Sequence, residues 1–180
     1  MDWLMAVDNG ILDAIQQGLR CAPLDWLMAF FSQLGEAGMV WIVVTLVLLA
    51  RKKTRRWGVI LGITLLAGLL LGELGLKNVV QRLRPCQVPG MDVVMAVPPP
   101  DSFSFPSGHT MSSFEAATVL WRMDRRWGGP ALVLAVLIAF SRMYLYVHYP
   151  SDVLAGAVFG VGLASLIIWL FERKEKTKEI

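Results

Sequence analysis

The chain has 180 residues and a formal net charge of +3, and 56% of its residues are hydrophobic whereas only 17% are charged. Globular domains usually contain about 45–50% apolar and about 25% charged residues, so this composition favours a membrane protein. The charges fall in short clusters between apolar runs rather than along one face, which argues against nucleic acid as a partner. The length predicts a single integral-membrane domain, 1–180.

The first 33 residues mix charged with apolar side chains, and Pro23 divides them into two helical pieces. We expect residues 1–33 to form interfacial or half-inserted helices. A cleavable signal peptide is not expected, because acidic residues occupy the positions at which it needs basic and apolar ones: Asp2, Asp8 and Asp13. Insertion is therefore expected to use internal spans.

Four apolar stretches predict membrane-spanning helices: 38–50, 57–72, 130–147 and 153–171. Because a span needs about 20 residues, the first is expected to extend back through Glu36 and Leu34. A weaker fifth stretch covers 107–121. The sequence therefore predicts an all-α, polytopic helix bundle with about five to six membrane helices and an interfacial N-terminal helix.

Twelve of the 17 Lys and Arg residues fall into three clusters, 51–56, 122–126 and 173–178. Alternating spans place all three clusters on one side of the membrane, and short cytoplasmic loops carry such an excess of basic residues. The sequence thus predicts a multi-pass protein of the plasma (inner) membrane. Segments 77–85, 106–109 and 141–152 are expected at the extracytoplasmic end.

Both histidines and most of the remaining cations lie in these three segments. The basic residues outside the clusters are Arg20, Lys77, Arg82, Arg84 and Arg142. The positive-inside rule disfavours cations at outer span ends, so a bound anion would explain four of these five. Each alone could simply extend its side chain toward water, and Arg82 could be only a headgroup contact.

Two local patterns refine this site. Ser107 is a plausible N-cap for a helix that starts at Gly108 and His109, and such a helix start attracts anions, although the pattern alone could be only a capped helix. A turn through Pro150 is expected to bring Asp152 against His148, where a carboxylate would fix the imidazole tautomer. That pair could equally be a structural hydrogen bond.

Two acidic residues lie inside apolar helices, where they are energetically costly. Glu73 is four residues before Lys77, so we expect an ion pair that positions the lysine. Glu115 has no evident partner in the sequence. On a continuous helix, Lys77 and Arg84 would share one face about two turns apart.

Read in order as K-x6-R-P, P-S-G-H and S-R-x5-H-x3-D, these segments resemble the three-part signature of the type 2 phosphatidic acid phosphatase superfamily, which is shared with vanadium haloperoxidases. The resemblance covers residues 77–152. It implies that His148 attacks phosphorus to form a phosphohistidine, that Asp152 orients it, and that His109 protonates the leaving oxygen and then activates water. It also implies a set of phosphate-binding residues: Lys77, Arg84, Ser107, Gly108 and Arg142.

The resemblance implies no metal or cofactor. The outer carboxylates Asp92, Asp101 and Asp152 are too few and too scattered for a two-metal site. Cys21 and Cys86 lack metal-ligand spacing and are expected to be unpaired thiols.

The predicted function is hydrolysis of a lipid phosphomonoester or diphosphate at the outer interface. Undecaprenyl diphosphate is the preferred substrate, and phosphatidylglycerol phosphate, phosphatidate or a lipid A phosphate are alternatives. A vanadate-dependent oxidase and a non-enzymatic anion- or lipid-binding membrane protein are more distant alternatives.

Overall fold

The computed structural model describes residues 2–88 and 95–177, in which only helices and their connections occur. The predicted all-α class is confirmed for these residues, whereas Asp92 and Lys178 lie outside them. A π-helical segment, Leu69–Leu76, joins α4 to α5, and 3₁₀ turns cover Glu36–Gly38 and Pro85–Gln87. The α-helices are α1 Asp2–Leu19, α2 Ala22–Leu34, α3 Met39–Ala50, α4 Arg55–Gly68, α5 Lys77–Val80, α6 Gly108–Met123, α7 Arg125–Tyr144 and α8 Pro150–Lys176.

Three helical segments of the described chain are long and apolar enough to cross a membrane: Arg55–Gln87, Arg125–Tyr144 and Pro150–Glu175. A fourth crossing arises if α2 and α3 are taken together as one bent span. The predicted five to six spans are therefore not confirmed. The weak fifth stretch forms α6, whose 16 residues are fewer than the about 20 that a span needs.

The predicted extension of the first span back through Glu36 is interrupted. Ala37 and Gly38 adopt left-handed backbone angles, with φ of 49° and 68°, and the chain bends by 43° between α2 and α3. A right-handed helix cannot continue through two such residues. The N-terminal break also differs slightly from the prediction, because Pro23 lies in the first turn of α2 rather than between the helices.

Helix α6 is the centre of the bundle and packs against α4, α7 and α8. Two glycines of α8, Gly156 and Gly160, line its interface with α6. A Cβ atom at Gly156 would lie 2.7 Å from Ser107 O, and one at Gly160 would lie 2.5 Å from Met111 O. The absence of side chains at these glycines lets the start of α8 lie directly against the start of α6.

Replacement of Gly160 should therefore destabilise the bundle. We expect Gly160→Ala to cost about 1–3 kcal/mol through overpacking and to lower the thermal unfolding midpoint in detergent by roughly 3–10 °C. Gly162→Ala, on the same helix, is the matched control. Its new Cβ atom would have no neighbouring element within 4 Å. An equal midpoint for the two variants would contradict this packing.

The basic clusters meet at one end of the bundle. Arg56 lies 2.6 Å from Glu175, and Arg122 lies 2.7 Å from Glu172, so α8 contacts both loops through ion pairs. These contacts agree with the prediction that the described cluster residues share one side. The other end of the bundle carries the segments that contain both histidines.

Candidate active site

Three segments that are distant in sequence converge on one cavity of about 690 Å³ at the end of the bundle opposite the basic clusters. Gly108 lines this cavity, and Ser107 and Asp152 are buried behind it. The structure thus brings together all eight residues of the predicted site. Among these eight, the charged or titratable side chains that line the cavity are Lys77, Arg84, His109, Arg142 and His148, and the side chains of Glu36, Glu73 and Glu115 line it as well.

Lys77 and Arg84 converge by a route that differs from the prediction. Helix α5 ends at Val80 because Gln81 turns left-handed, with φ of 50°, and the following residues have no helical structure. The predicted common helix face is therefore wrong. Ser102 bridges the two cations instead, since its Oγ lies 3.2 Å from Lys77 Nζ and 3.0 Å from Arg84 Nη2.

The predicted ion pair of Lys77 is present. Its Nζ lies 2.8 Å from the carboxylate of Glu73, one helical turn earlier. A Cβ atom at Gly108 would lie 2.2 Å from Glu73 Oε1, so the start of α6 approaches this pair closely. Glycine at this position leaves room for the Glu73 carboxylate beside the first N–H groups of α6.

Arg84 is 2% exposed and is fixed by main-chain oxygens. Its Nε donates to Ser102 O at 2.7 Å, and its Nη1 donates to Val147 O at 2.8 Å. The same Nη1 lies 3.0 Å from His148 Nε2. Because a guanidinium can only donate, His148 Nε2 accepts with its single lone pair, so the ring proton lies on Nδ1. That lone pair can attack another atom only after Arg84 Nη1 releases it.

His148 Nδ1 faces Asp152 and Ser104, at the turn that joins α7 to α8. Nδ1 lies 3.6 Å from Asp152 Oδ2 and 3.4 Å from Ser104 Oγ. The expected approach of Asp152 to His148 is confirmed as an electrostatic contact slightly longer than a hydrogen bond. Burial, reinforced by Arg84 and Arg142, holds the pKa of His148 well below its ordinary value of 6.5, so the ring is neutral.

The start of α6 carries His109, whose environment differs from that of His148. Its Nε2 lies 3.4 Å from Glu36 Oε2 but has no well-formed hydrogen bond. Burial lowers the pKa of His109 below 6.5, and Glu36 opposes that shift. Ser107 occupies the predicted N-cap position, yet its hydroxyl accepts a hydrogen bond from Thr110 instead of capping the helix.

Arg142, on the last turn of α7, contributes a second unsatisfied donor. One Nη donates to Ser32 of α2, whereas its Nε is buried and has no partner. His109 Nε2 and Arg142 Nε both belong to side chains that line the cavity. Buried polar groups in proteins are nearly always paired, so these two nitrogens are available to a ligand in the cavity.

The other half of the cavity is apolar. It runs between α3 and α4 and is lined there by residues that include Ile42, Leu46, Leu66 and Leu69, each 48–59% exposed at the outer surface of the bundle. We call this half the α3/α4 groove. A ligand that places an anion among the cations can therefore lay an apolar chain along this groove.

Sequence reasoning missed three residues that contact the predicted site. Ser102 bridges Lys77 and Arg84, Ser104 donates to Asp152 Oδ2, and Glu36 approaches His109. The serines precede the P-S-G-H motif in an alternating S-F-S-F run, which is the only local signal for them. Glu36 gave no signal, because its position depends on the break at Ala37.

Glu115 also lines the cavity, deeper than the cations. It is fully buried, and neither carboxylate oxygen has a hydrogen-bond partner, in agreement with the sequence.

The part of the chain that the structure describes contains no group of three or more His, Cys, Asp or Glu side chains that could hold a metal ion. Cys21 and Cys86 are both free thiols.

The sequence profile described as "PAP2 superfamily" matches residues 56–176. The chain belongs to the PAP2 superfamily. An undecaprenyl-diphosphatase of Sulfolobus acidocaldarius is 36% identical to this PAP2 chain over 150 residues, which are 83% of the chain and 71% of that protein. The profile match at residues 56–176 covers all three signature segments.

Two solved PAP2-type structures share the fold. A transmembrane phosphatidylglycerolphosphate phosphatase of Bacillus subtilis has a TM-score of 0.80 and 27% identity, and the alignment covers 96% of this chain and 88% of that one. LpxE of Aquifex aeolicus has a TM-score of 0.78 and 27% identity, with 90% and 94% covered. The chain is thus a PAP2-type membrane phosphatase.

Proposed function

We propose that this PAP2 chain removes phosphate from a membrane lipid through a phosphohistidine on His148. The supporting observation is the cavity itself, in which two histidines and three cations lie at one end of an apolar groove. A soluble phosphate ester needs no such groove, whereas a lipid fills both halves at once. The proposal treats the chain as one domain, with 77–152 as its catalytic region.

In the first step, the neutral His148 uses its Nε2 lone pair to form a bond to phosphorus. The bond from phosphorus to the lipid oxygen breaks, and that oxygen takes a proton from His109 Nε2. Asp152 stabilises the positive charge that develops on the His148 ring. The charge on the phosphoryl oxygens is stabilised by Lys77, Arg84, Arg142, Ser107 and the N–H group of Gly108.

In the second step, a water molecule attacks the phosphohistidine and gives a proton to His109. The bond between phosphorus and His148 Nε2 breaks, and inorganic phosphate is released. His109 is thus the general acid of the first step and the general base of the second, whereas His148 is first the nucleophile and then the leaving group. The side chains supply all the proton transfers, so the scheme requires no metal ion.

We propose undecaprenyl diphosphate as the substrate, because a named undecaprenyl-diphosphatase is the relative with 36% identity over most of the chain. A phosphatidylglycerol phosphate or phosphatidate phosphatase is the alternative, favoured by the B. subtilis structure that covers 96% of the chain. The basic clusters at the opposite end support an inner-membrane protein whose site faces the extracytoplasmic side. In that orientation, α1 and α2 are interfacial or half-inserted.

The substrate assignment can be tested with phosphate release from a panel of lipids in detergent. The panel contains undecaprenyl diphosphate, phosphatidylglycerol phosphate, phosphatidate and a lipid A phosphate, each with and without EDTA. We expect the highest kcat/KM for undecaprenyl diphosphate and equal rates in EDTA. A higher value for a glycerolipid would reverse the substrate assignment, and loss of activity in EDTA would contradict the metal-free scheme.

A further inference from the structure

The N-terminal helix places a buried carboxylate beside the candidate active site. Asp8 of α1 is 1% exposed, although it lies on a helix whose neighbouring residues are mostly exposed. Its Oδ1 accepts a hydrogen bond from Ser151 N at 2.9 Å, and its Oδ2 accepts from Ser151 Oγ and from Arg82 Nη2. A buried carboxylate is stable only when its acceptors are filled in this way.

Arg82 lies between two carboxylates. Its Nη2 is 2.7 Å from Asp8 Oδ2, its Nη1 is 2.6 Å from Asp152 Oδ1, and its guanidinium stacks 3.9 Å above the Tyr149 ring. Nη1 also donates to Ser151 Oγ at 2.7 Å. These contacts hold the guanidinium on two sides and one face, so it cannot move without breaking charge-assisted hydrogen bonds.

Asp152 is consequently held by donors on both oxygens. Oδ1 accepts from Arg82, and Oδ2 accepts from Ser104 Oγ and from Tyr149 N at 2.9 Å. This arrangement leaves one direction of Oδ2 facing His148 Nδ1. Rotation of the Asp152 carboxylate away from His148 would break the bond to Arg82 first.

We propose that Asp8 and Arg82 are positioning residues for the His148 nucleophile, acting through Asp152. Arg82 fixes the orientation of Asp152, and Asp8 fixes Arg82 and balances its charge, so that Asp152 keeps its negative charge available to the His148 ring. Helix α1 is therefore part of the catalytic apparatus rather than only a membrane contact. This inference rests on the proposed phosphatase function.

The test compares kinetic constants of the full-length chain and its variants in detergent. We expect Asp8→Asn to lower kcat about 10-fold and Arg82→Gln about 100-fold, with KM nearly unchanged, as is typical when a supporting contact of a catalytic group is lost. Arg82→Lys should recover part of the lost rate. The control is Asp13→Asn, an exposed carboxylate on the same helix, which should retain the wild-type rate.

Inhibition by vanadate separates positioning from a loss of folded protein. Vanadate mimics the transition state when His148 Nε2 becomes its fifth ligand. In the Asp8 and Arg82 variants, the Ki of vanadate should therefore rise by about the same factor as kcat falls. The Ki of inorganic phosphate should stay constant. A Ki does not depend on the fraction of active molecules. A reduced kcat with an unchanged vanadate Ki would overturn the positioning role.

Failure of the inference and failure of the proposed function give different results. An active wild-type enzyme with wild-type kcat in both Asp8→Asn and Arg82→Gln would overturn only the inference. A wild-type chain that releases no phosphate from any lipid of the panel would overturn the proposed function, and the inference with it.

Discussion

His148→Ala should abolish lipid phosphate release, with a fall in kcat of at least ~10⁴-fold. The physical reason is that His148 Nε2 is the proposed nucleophile, whereas the cations that surround it can bind phosphate but cannot form a covalent bond to phosphorus. The measurement is phosphate release at saturating lipid. The variant should still bind inorganic phosphate, since Lys77, Arg84 and Arg142 remain.

The control for this substitution is Asn78→Ala, which changes an exposed residue beside Lys77 that contacts only the main chain of its own helix turn. Wild-type activity is expected there. Retained turnover in His148→Ala would exclude the phosphohistidine scheme. It would favour a non-enzymatic anion- or lipid-binding role for the cationic cavity, with the measured activity coming from a contaminant.

His109→Gln should lower kcat for a lipid phosphomonoester such as phosphatidate about 10³-fold, because an alkoxide leaving group needs a proton from a general acid. An aryl phosphate has a leaving group that departs without protonation. With that substrate the variant should form the phosphoenzyme rapidly and hydrolyse it slowly, since His109 is also needed to activate water. Stopped-flow measurement of phenolate release should therefore show a burst followed by a slow steady state.

The burst amplitude gives the fraction of chains that are phosphorylated, and the wild-type protein should show a smaller burst because its second step is faster. Equal losses for the lipid and for the aryl phosphate, with no burst, would contradict the assignment of His109 as the general acid. In that case His109 would act only as a phosphate-binding side chain.

The environment of His109 also predicts how its protonation limits the rate. Burial lowers its pKa below 6.5, with Glu36 opposing the shift, so the acid form is lost as pH rises through that lowered value. His148, whose pKa is lowered further, stays neutral across the same range. The dependence of kcat/KM on pH should thus be set on its basic side by His109.

The signature residues could be predicted from the sequence because their chemistry depends on fixed local spacing. His148 and Asp152 are joined by one turn, and Ser107, Gly108 and His109 share one helix start, so short-range geometry determines each group. The Glu73–Lys77 pair follows from the helical period in the same way. That these three groups meet at one site was predicted only from the alternation of spans across a membrane.

The contacts that sequence reasoning missed depend on long-range packing or on unusual backbone angles. Nothing in the sequence pairs Asp8 with Arg82, which is 74 residues away. The left-handed angles fall at Ala37 and Gln81, residue types that rarely adopt them, so neither the break before α3 nor the end of α5 could be read from composition. The prediction of a fifth span at α6 is not confirmed, because this helix has 16 residues and buries several polar side chains inside the bundle.

The position of the α3/α4 groove has a consequence for how the reaction ends. The scissile phosphate would be held at the polar end of the cavity, whereas the exposed leucine and isoleucine side chains open the groove sideways at the outer surface of the bundle. Inorganic phosphate would then depart into water and the dephosphorylated lipid would slide back into the leaflet. With a separate exit for each product, neither one has to wait for the other to leave.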